Sequence, residues 1–389
     1  MSSNKRIGIV AWGSSSALGG SPSAIWERYL NDSSCITRQD PNTPWVASLG
    51  AEEEEQLQLL QATQKNYRRL DRSVLLAMLA ADRAVKGTSW KPGEATGLYI
   101  GSSRGATGSW EAYFNQFQAQ QEALPPPASP LSTAGNLATR TAQHLGLRGY
   151  SSDNSITCSS ALHALANAIV WMESGRYQRF LAGGTEAPLT PFTIAQMRAL
   201  KIYASPAATL PYPNRSLDLD KEQNGMVLGE GSAVFALERN PEKALAWISG
   251  LGYAREDIPS LAGISKDGIA LQTAMRQALS EAGVSTVDAI VCHCPGTRQG
   301  DRSEYEAIRA VFGKNIPSLT SNKWKIGHTL GASGGLSLEM AMLMLLHQKI
   351  VPIPYLTVPH KQGPIQRVMV NALGFGGNAV SIIIEKAKL

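Results

Sequence analysis

Cys158 lies in Ser155-Ile-Thr-Cys-Ser-Ser-Ala-Leu-His163, where a strand pattern gives way to a helix pattern. At such a junction the free N–H groups of the helix and its dipole stabilise a thiolate, the nucleophilic form of cysteine. A buried cysteine is often only a small hydrophobe, so this reading depends on partners. Two histidines supply them. His293 sits in Cys292-His-Cys-Pro-Gly-Thr-Arg-Gln-Gly-Asp301 and His328 in Lys323-Trp-Lys-Ile-Gly-His-Thr-Leu-Gly331, each after a strand pattern and beside glycine. Glycine lets the backbone approach a ligand, and an imidazole near neutral pH moves a proton or donates to an enolate oxygen. Asn371-Ala-Leu-Gly-Phe-Gly-Gly377 is a strand pattern ending in a glycine-rich turn. A strand follows it and no Gly-Lys-Ser/Thr is present, so it is no phosphate loop; it can instead aim a backbone N–H into a pocket as an oxyanion site requires. The Cys292-His293-Cys294 triplet invites a metal reading. Neighbours on a strand point to opposite faces and no second Cys/His pair has finger spacing, so no metal is expected.

The elements that must position these residues alternate. Strand patterns cover Arg6 to Trp12, Gly97 to Ser102, a segment leading into Thr157, Arg179 to Thr185 and Ser232 to Glu238. Helix patterns cover Tyr67 to Val85, Thr133 to Leu145 and Ser159 to Glu173, the last apolar on nearly all sides. Pro125, Pro126, Pro127 and Pro130 mark Glu122 to Ser132 as an irregular loop. From Leu245 a second set begins: a strand to Tyr253, helix Ile269 to Ala282, strand Asp288 to His293, helices Ser303 to Val311 and Gly334 to Gln348, and strands Val368 to Leu373 and Asn378 to Glu385. The class is α/β in two halves of similar rhythm, 1–240 with the cysteine and 241–389 with both histidines. Residue identity between the halves is too low to establish a repeat.

With 389 residues, 43% hydrophobic and 17% charged, the chain can bury a sizeable core. The most apolar helical stretch, Leu336 to Ile350, carries Glu339, His347 and Lys349 and is too short to span a bilayer. The apolar run Ile7 to Trp12 is too short for a signal-peptide core, so a cytoplasmic location is expected. Four cysteines, Cys35, Cys158, Cys292 and Cys294, are too few and too uneven for a disulfide framework. A net charge of +5 suits an acidic partner without the clustering of a nucleic-acid binder.

Together these motifs resemble the β-ketoacyl-acyl carrier protein synthases, condensing enzymes of the thiolase fold. The family's nucleophile motif matches at Cys158, its first histidine motif at His293 with Gly300 and Asp301, its Lys-x4-His at Lys323 and His328, and its terminal turn at Asn371, Phe375, Gly376 and Gly377. Asn224-Gly-Met-Val-Leu-Gly-Glu-Gly231 matches a further signature. The resemblance implies a five-layer αβαβα fold from two similar halves. It also implies a decarboxylative Claisen condensation: Cys158 carries the acyl group, His293 and His328 stabilise a malonyl-derived enolate, Lys323 orients them, and Phe375 supplies an oxyanion N–H and gates the acyl pocket. Thr297, Leu373, Gly376 and Gly377 would line the substrate path. No cofactor is implied beyond the phosphopantetheine arm of a partner acyl carrier protein, and the family is dimeric, as homodimer or with a synthase-like partner. A thiolase would need a second cysteine where Phe375-Gly-Gly-Asn378 stands, and a non-catalytic chain-length factor would lack Cys158.

Pro295, Ser337 and Leu373 depart from the family pattern, which has a threonine, a glutamate and a phenylalanine there. The three departures near one site point to a specialised fatty-acid or polyketide synthase, with a general chain-elongating enzyme as the alternative. Lys65, Arg68, Arg69 and Arg72, at i, i+3, i+4 and i+7, would form one basic helical stripe for an acidic carrier protein. The run Glu52 to Glu55 reads as a solvated acidic face.

Overall fold

The computed structural model describes residues 6–91, 95–119, 123–205, 207, 211–257, 263–357 and 363–387. Besides a short parallel pair, Val46–Ala47 with Leu228–Gly229, five strands belong to the first half: β1 (Ile7–Ser16), β2 (Thr96–Gly101), β3 (Ser151–Asn154), β4 (Arg179–Glu186) and β5 (Gly231–Arg239). Five belong to the second: β6 (Ala246–Arg255), β7 (Ala289–Val291), β8 (Ser318–Thr320), β9 (Arg367–Gly374) and β10 (Asn378–Lys386). Outward from the molecular centre the first half runs β1-β5-β4-β2-β3 and the second β6-β10-β9-β7-β8. Each half has two antiparallel pairs followed by two parallel ones. Every strand therefore has a counterpart five strands later, and the repeat that residue identity hides is explicit in the topology. The halves join where Ile7–Ile9 pairs with Ala246–Ile248.

The helices complete five layers. Helix α1 (Arg72–Lys86) covers the outer face of the first sheet with α3 (Asn136–Leu145), while α2 (Thr107–Ala119) lies apart from that layer. Helices α5 (Ile269–Ala282) and α6 (Arg298–Phe312) cover the second sheet, and α4 (Ser160–Glu173) and α7 (Ser333–His347) fill the middle layer between the sheets. Middle-layer helices must be apolar all round: thirteen of the residues of α7, including Glu339, are buried. Residues Leu330–His347 are long and apolar enough to cross a membrane, longer than the stretch read from the sequence, but 89% of that window is buried inside the protein.

Four readings change. Helices Pro22–Leu30, Ala51–Thr63, Thr107–Ala119 and Pro191–Ala199 are additional; Ala51–Thr63 and α2 bury so few side chains that their apolar period is faint. The proline-rich stretch ends in a short helix, Ala128–Ser132, with Glu122 outside the described residues. The acidic run is not simply solvated: Glu53 is buried, paired with Arg83 at 2.7 Å, and Glu54 pairs with Arg72. The single helix expected from Tyr67 is two elements, a 3-10 turn Lys65–Arg69 and then α1, because Leu70 and Asp71 are extended and Asp71 caps α1 by accepting the Ser73 N–H at 2.9 Å.

Candidate active site

The two halves place their chemistry at equivalent points. Cys158 precedes middle helix α4, and His328 precedes its counterpart α7. Thr157, before the cysteine, holds φ at +47°, a left-handed conformation that a β-branched residue adopts only when its surroundings impose it. Ser160 fixes this elbow, its Oγ donating to the Thr157 carbonyl at 2.6 Å and accepting the Ile156 N–H at 2.8 Å. Gly374 closes it from the second half. A Cβ there would lie 2.0 Å from Thr157 Oγ1, so only glycine lets the terminal turn approach. Gly376 and Gly377, at φ +82° and +74°, reverse the chain after Phe375. Neither the Cys158 nor the Phe375 N–H donates to another group among the described residues, as an oxyanion site requires.

His293 and His328 stand edge to face, ring centroids 5.1 Å apart, and both are buried. The His293 loop is anchored by Glu304 on α6, which accepts the N–H of His293 at 3.0 Å, of Cys294 at 2.8 Å and the Asn371 amide at 3.1 Å. His328 is positioned by its own N–H, donated to the Val227 carbonyl at 2.6 Å. Among the described residues neither imidazole meets a carboxylate. Burial and the Lys323 charge push His328 down to about 3, and burial with the same neighbours holds His293 well below its ordinary value. Both rings are neutral at pH 7, the state in which one ring nitrogen donates and the other accepts.

Lys323 is buried, its Nζ donating to Asn322 Oδ1 at 2.8 Å and Ser337 Oγ at 3.1 Å. Both acceptors are neutral. Burial lowers the ammonium to about 8, with Glu304 the largest opposing influence. The thiolate expected at Cys158 is corrected: burial, reinforced by Glu186, pushes the thiol up to about 12 against the pull of Lys323 and Arg104. A thiol shifted in this direction keeps its proton until a base takes it.

Glu186, at the end of β4, was not legible as a site residue. It is buried and accepts N–H groups from Ser103 at 2.7 Å, Arg104 at 3.1 Å and Gly331 at 2.8 Å, with the Ser102 hydroxyl at 3.0 Å. It thereby ties the loop after β2 to the loop after His328. Asp301 does the same for the His293 loop, accepting the Gly296 N–H at 3.0 Å and pairing with buried Lys221 at 2.7 Å.

Two cavities meet at Cys158. One, of about 150 Å³, is lined by both histidines, Pro295, Thr297, Leu373 and Phe375. The other, of about 920 Å³, opens past Trp110, Phe114 and Phe192. Leu373 and Pro295 thus face the small cavity and do not line the large one. The Thr297 hydroxyl is occupied in part, accepting the Gly300 N–H at 3.1 Å as the cap of α6. Cys292 and Cys294, two residues apart on one side, converge with Glu304 within 4.8 Å. The triplet was expected to diverge; alternation separates only His293, and Glu304 is already engaged by three donors. The basic stripe is also corrected. Lys65, Arg68 and Arg69 are exposed on the 3-10 turn, but Arg72 is turned away by the break and bonded to Glu230 at 2.6 Å as well as to Glu54.

The model of the β-ketoacyl synthase N-terminal domain matches residues 4–243, and that of the C-terminal domain matches 245–357. Nodulation protein E of Rhizobium sp. (strain N33) is 32% identical over 73% of this chain and 71% of its own. The 3-oxoacyl-[acyl-carrier-protein] synthase 2 of Staphylococcus aureus (strain COL) is 27% identical over 99% of both chains. In fold, the ishigamide ketosynthase/chain length factor superposes with a TM-score of 0.85 at 21% identity, over 99% of this chain and 100% of that one. A type II polyketide ketosynthase, solved in complex with its acyl-carrier protein and bound to the hexaketide, superposes with a TM-score of 0.84 at 21% identity and the same coverage. With both domain models satisfied and the strand–helix elbow, paired imidazoles and terminal glycine turn converging on one thiol, this chain belongs to the β-ketoacyl synthases and is a condensing enzyme of the acyltransferase type.

Proposed function

We propose that the chain joins an acyl group held on Cys158 to the carbon of a malonyl unit delivered by an acyl carrier protein. The observation that carries this reading is the meeting of two cavities at Cys158, one beside the histidines and one apolar and larger. In the first half-reaction the Cys158 sulfur attacks an acyl thioester, its proton passes to a neutral imidazole, and the carrier thiol leaves. The N–H groups of Cys158 and Phe375 receive the oxyanion. In the second, malonyl thioester occupies the small cavity, its C–C bond breaks with loss of CO2, and His293 and His328 donate to the enolate oxygen that forms. The enolate carbon attacks the acyl-Cys158 carbonyl, the Cys158 thiolate leaves, and the 3-oxoacyl product is two carbons longer. Lys323 keeps positive potential behind the imidazoles and so holds them neutral.

A dimer fits the surface. Trp110, Phe114 and Phe192 are more than half exposed around the large cavity, and β3 ends the sheet with a free edge. Native mass spectrometry distinguishes a homodimer from a pair with a related subunit.

The substrate reading is that of a specialised enzyme. The large cavity presents flat aromatic walls at Trp110, Phe114 and Phe192, which suit a rigid, unsaturated or aryl acyl chain by stacking. Purified enzyme supplied with saturated, unsaturated and aryl acyl carriers should show the highest kcat/KM for the planar chains. A preference for saturated medium-length chains over all others would leave a general elongating synthase.

The neutral acceptors of Lys323 set a pH dependence. Its charge is lost as pH rises through about 8, so the condensation rate should fall over that range. Ser337→Glu places a carboxylate beside Nζ, favours the ammonium, and should move the alkaline limb upward by about one pH unit. An unmoved limb in this variant would assign the titration to another group.

A further inference from the structure

Behind Lys323 stands a buried polar group that the catalytic reading does not use: Asn322, Tyr29 of helix Pro22–Leu30 and Glu339 of α7, each at most 1% exposed. Asn322 faces two ways. Its Oδ1 accepts Lys323 Nζ at 2.8 Å, while its Nδ2, at the other end of the amide, meets no acceptor among the described residues. Tyr29 Oη and Glu339 Oε2 are likewise buried and unpartnered there. Tyr29 joins them: burial and the Glu339 charge raise its phenol above its ordinary value, and the Asn322 amide, a hydrogen-bonding neighbour, opposes them. The remaining Glu339 oxygen accepts Trp12 Nε1 at 3.1 Å and the Ser14 hydroxyl. No cation is bonded to Glu339 among the described residues; Arg83, whose charge reaches it, is paired with Glu53 at 2.7 Å. Lys323 is thus a buried cation held by neutral acceptors and Glu339 a buried carboxylate held by neutral donors, with Asn322 and Tyr29 between them. An amide has its donor and its acceptor at opposite ends. A carboxylate and a phenol oxygen on the Nδ2 side therefore fix Oδ1 on the Lys323 side, and the flipped amide would set N–H donors against an ammonium.

We propose that Glu339 is a positioning residue for the condensing site: with Tyr29 it holds the Asn322 amide so that Oδ1 faces Lys323, and its charge favours the ammonium from behind. The inference rests on the reading of Lys323 given above. Ser337, where the family pattern has a glutamate, also lies on α7, but two residues turn a helix by about 200°, so Glu339 acts through Asn322 and not by direct contact. Burial raises Glu339 to about 7, so it is ionised where Lys323 titrates, at about 8. The other groups facing Lys323 are Glu304 of α6, Cys292 and Cys294 of the His293 loop, Cys158 and the two neutral imidazoles. Those facing Glu339 are Tyr29, Glu53 and Arg83. Removing the carboxylate charge disfavours the ammonium, so the Lys323 pKa falls and the alkaline limb moves to lower pH.

The test is the pH profile of condensation for Glu339→Gln, Glu339→Asp and Tyr29→Phe, measured with malonyl-loaded acyl carrier protein beside single-turnover acylation of Cys158. Glu339→Gln keeps the shape and loses the charge; its alkaline limb should shift down by about half a pH unit or more, with acylation below the limb unchanged. Glu339→Asp, which keeps the charge, should hold the limb close to its wild-type position, and Tyr29→Phe should shift it down by less than Glu339→Gln. Adding Ser337→Glu to Glu339→Gln should bring the limb back up. A lowered Tm with an unmoved limb would make Glu339 structural and overturn the proposal. Should Glu339→Gln fail to fold, an unmoved limb in Tyr29→Phe overturns it equally. If Ser337→Glu moves the limb and Glu339→Gln does not, Lys323 keeps its role and Glu339 has no part in it. If neither moves it, the limb does not belong to Lys323, and the reading of that residue falls together with the inference.

Discussion

Cys158→Ala should abolish acyl transfer while malonyl decarboxylation remains measurable. Cys158 is the one thiol lining either cavity among the described residues; Cys292 and Cys294 are buried away from both. No other group there can form the acyl thioester, so condensation should fall at least about a thousandfold, the scale for loss of a covalent nucleophile. The two half-reactions use different residues, and this separates them. The enolate forms against His293 and His328, whose neutral state depends on burial and on Lys323 and not on the thiol. Intact-protein mass spectrometry should show no acyl adduct, while CO2 release from malonyl carrier continues. Condensation at the wild-type rate in this variant would remove Cys158 from its role.

The same residue shows what the sequence could and could not convey. That Cys158 begins a helix is local information, carried by a few consecutive side chains. That its thiol is protonated is not, because the desolvation comes from a site closed by both halves, and the unfavourable charge comes from Glu186 at the end of another strand. Glu304 and Glu186 escaped notice for a related reason: each acts through backbone N–H groups brought to it by folding, and no spacing in the chain announces such contacts. The basic stripe failed locally. Asp71 carries a helix-capping signal that interrupts the i, i+3, i+4, i+7 pattern, and the ladder of apolar residues from Tyr67 onward masked it. The fold itself was legible as two α/β halves, since strands and helices alternate with strong apolar periods. Their identical strand order was not, because topology constrains burial at each position without fixing which apolar residue fills it.

His293→Ala and His328→Ala should each still acylate Cys158 but condense on the order of a hundredfold or more slowly, the loss expected when one donor to a developing oxyanion is removed. Acylation survives in the single variants because the two neutral rings stand 5.1 Å apart beside the same small cavity, so either can take the thiol proton, and the oxyanion of that step is received by backbone N–H groups. Decarboxylation has no such redundancy. The enolate charge develops where the small cavity offers two imidazole donors, and removing one leaves the charge half-supported in a dry pocket, where a missing donor costs far more than in water. The pH dependence should not reveal either histidine. With His328 depressed to about 3 and His293 well below its ordinary value, no acid limb from imidazole protonation should appear near pH 6 in the wild type. Single-turnover acylation and malonyl-carrier CO2 release, measured side by side, separate the half-reactions. Normal condensation in either variant would make that histidine structural.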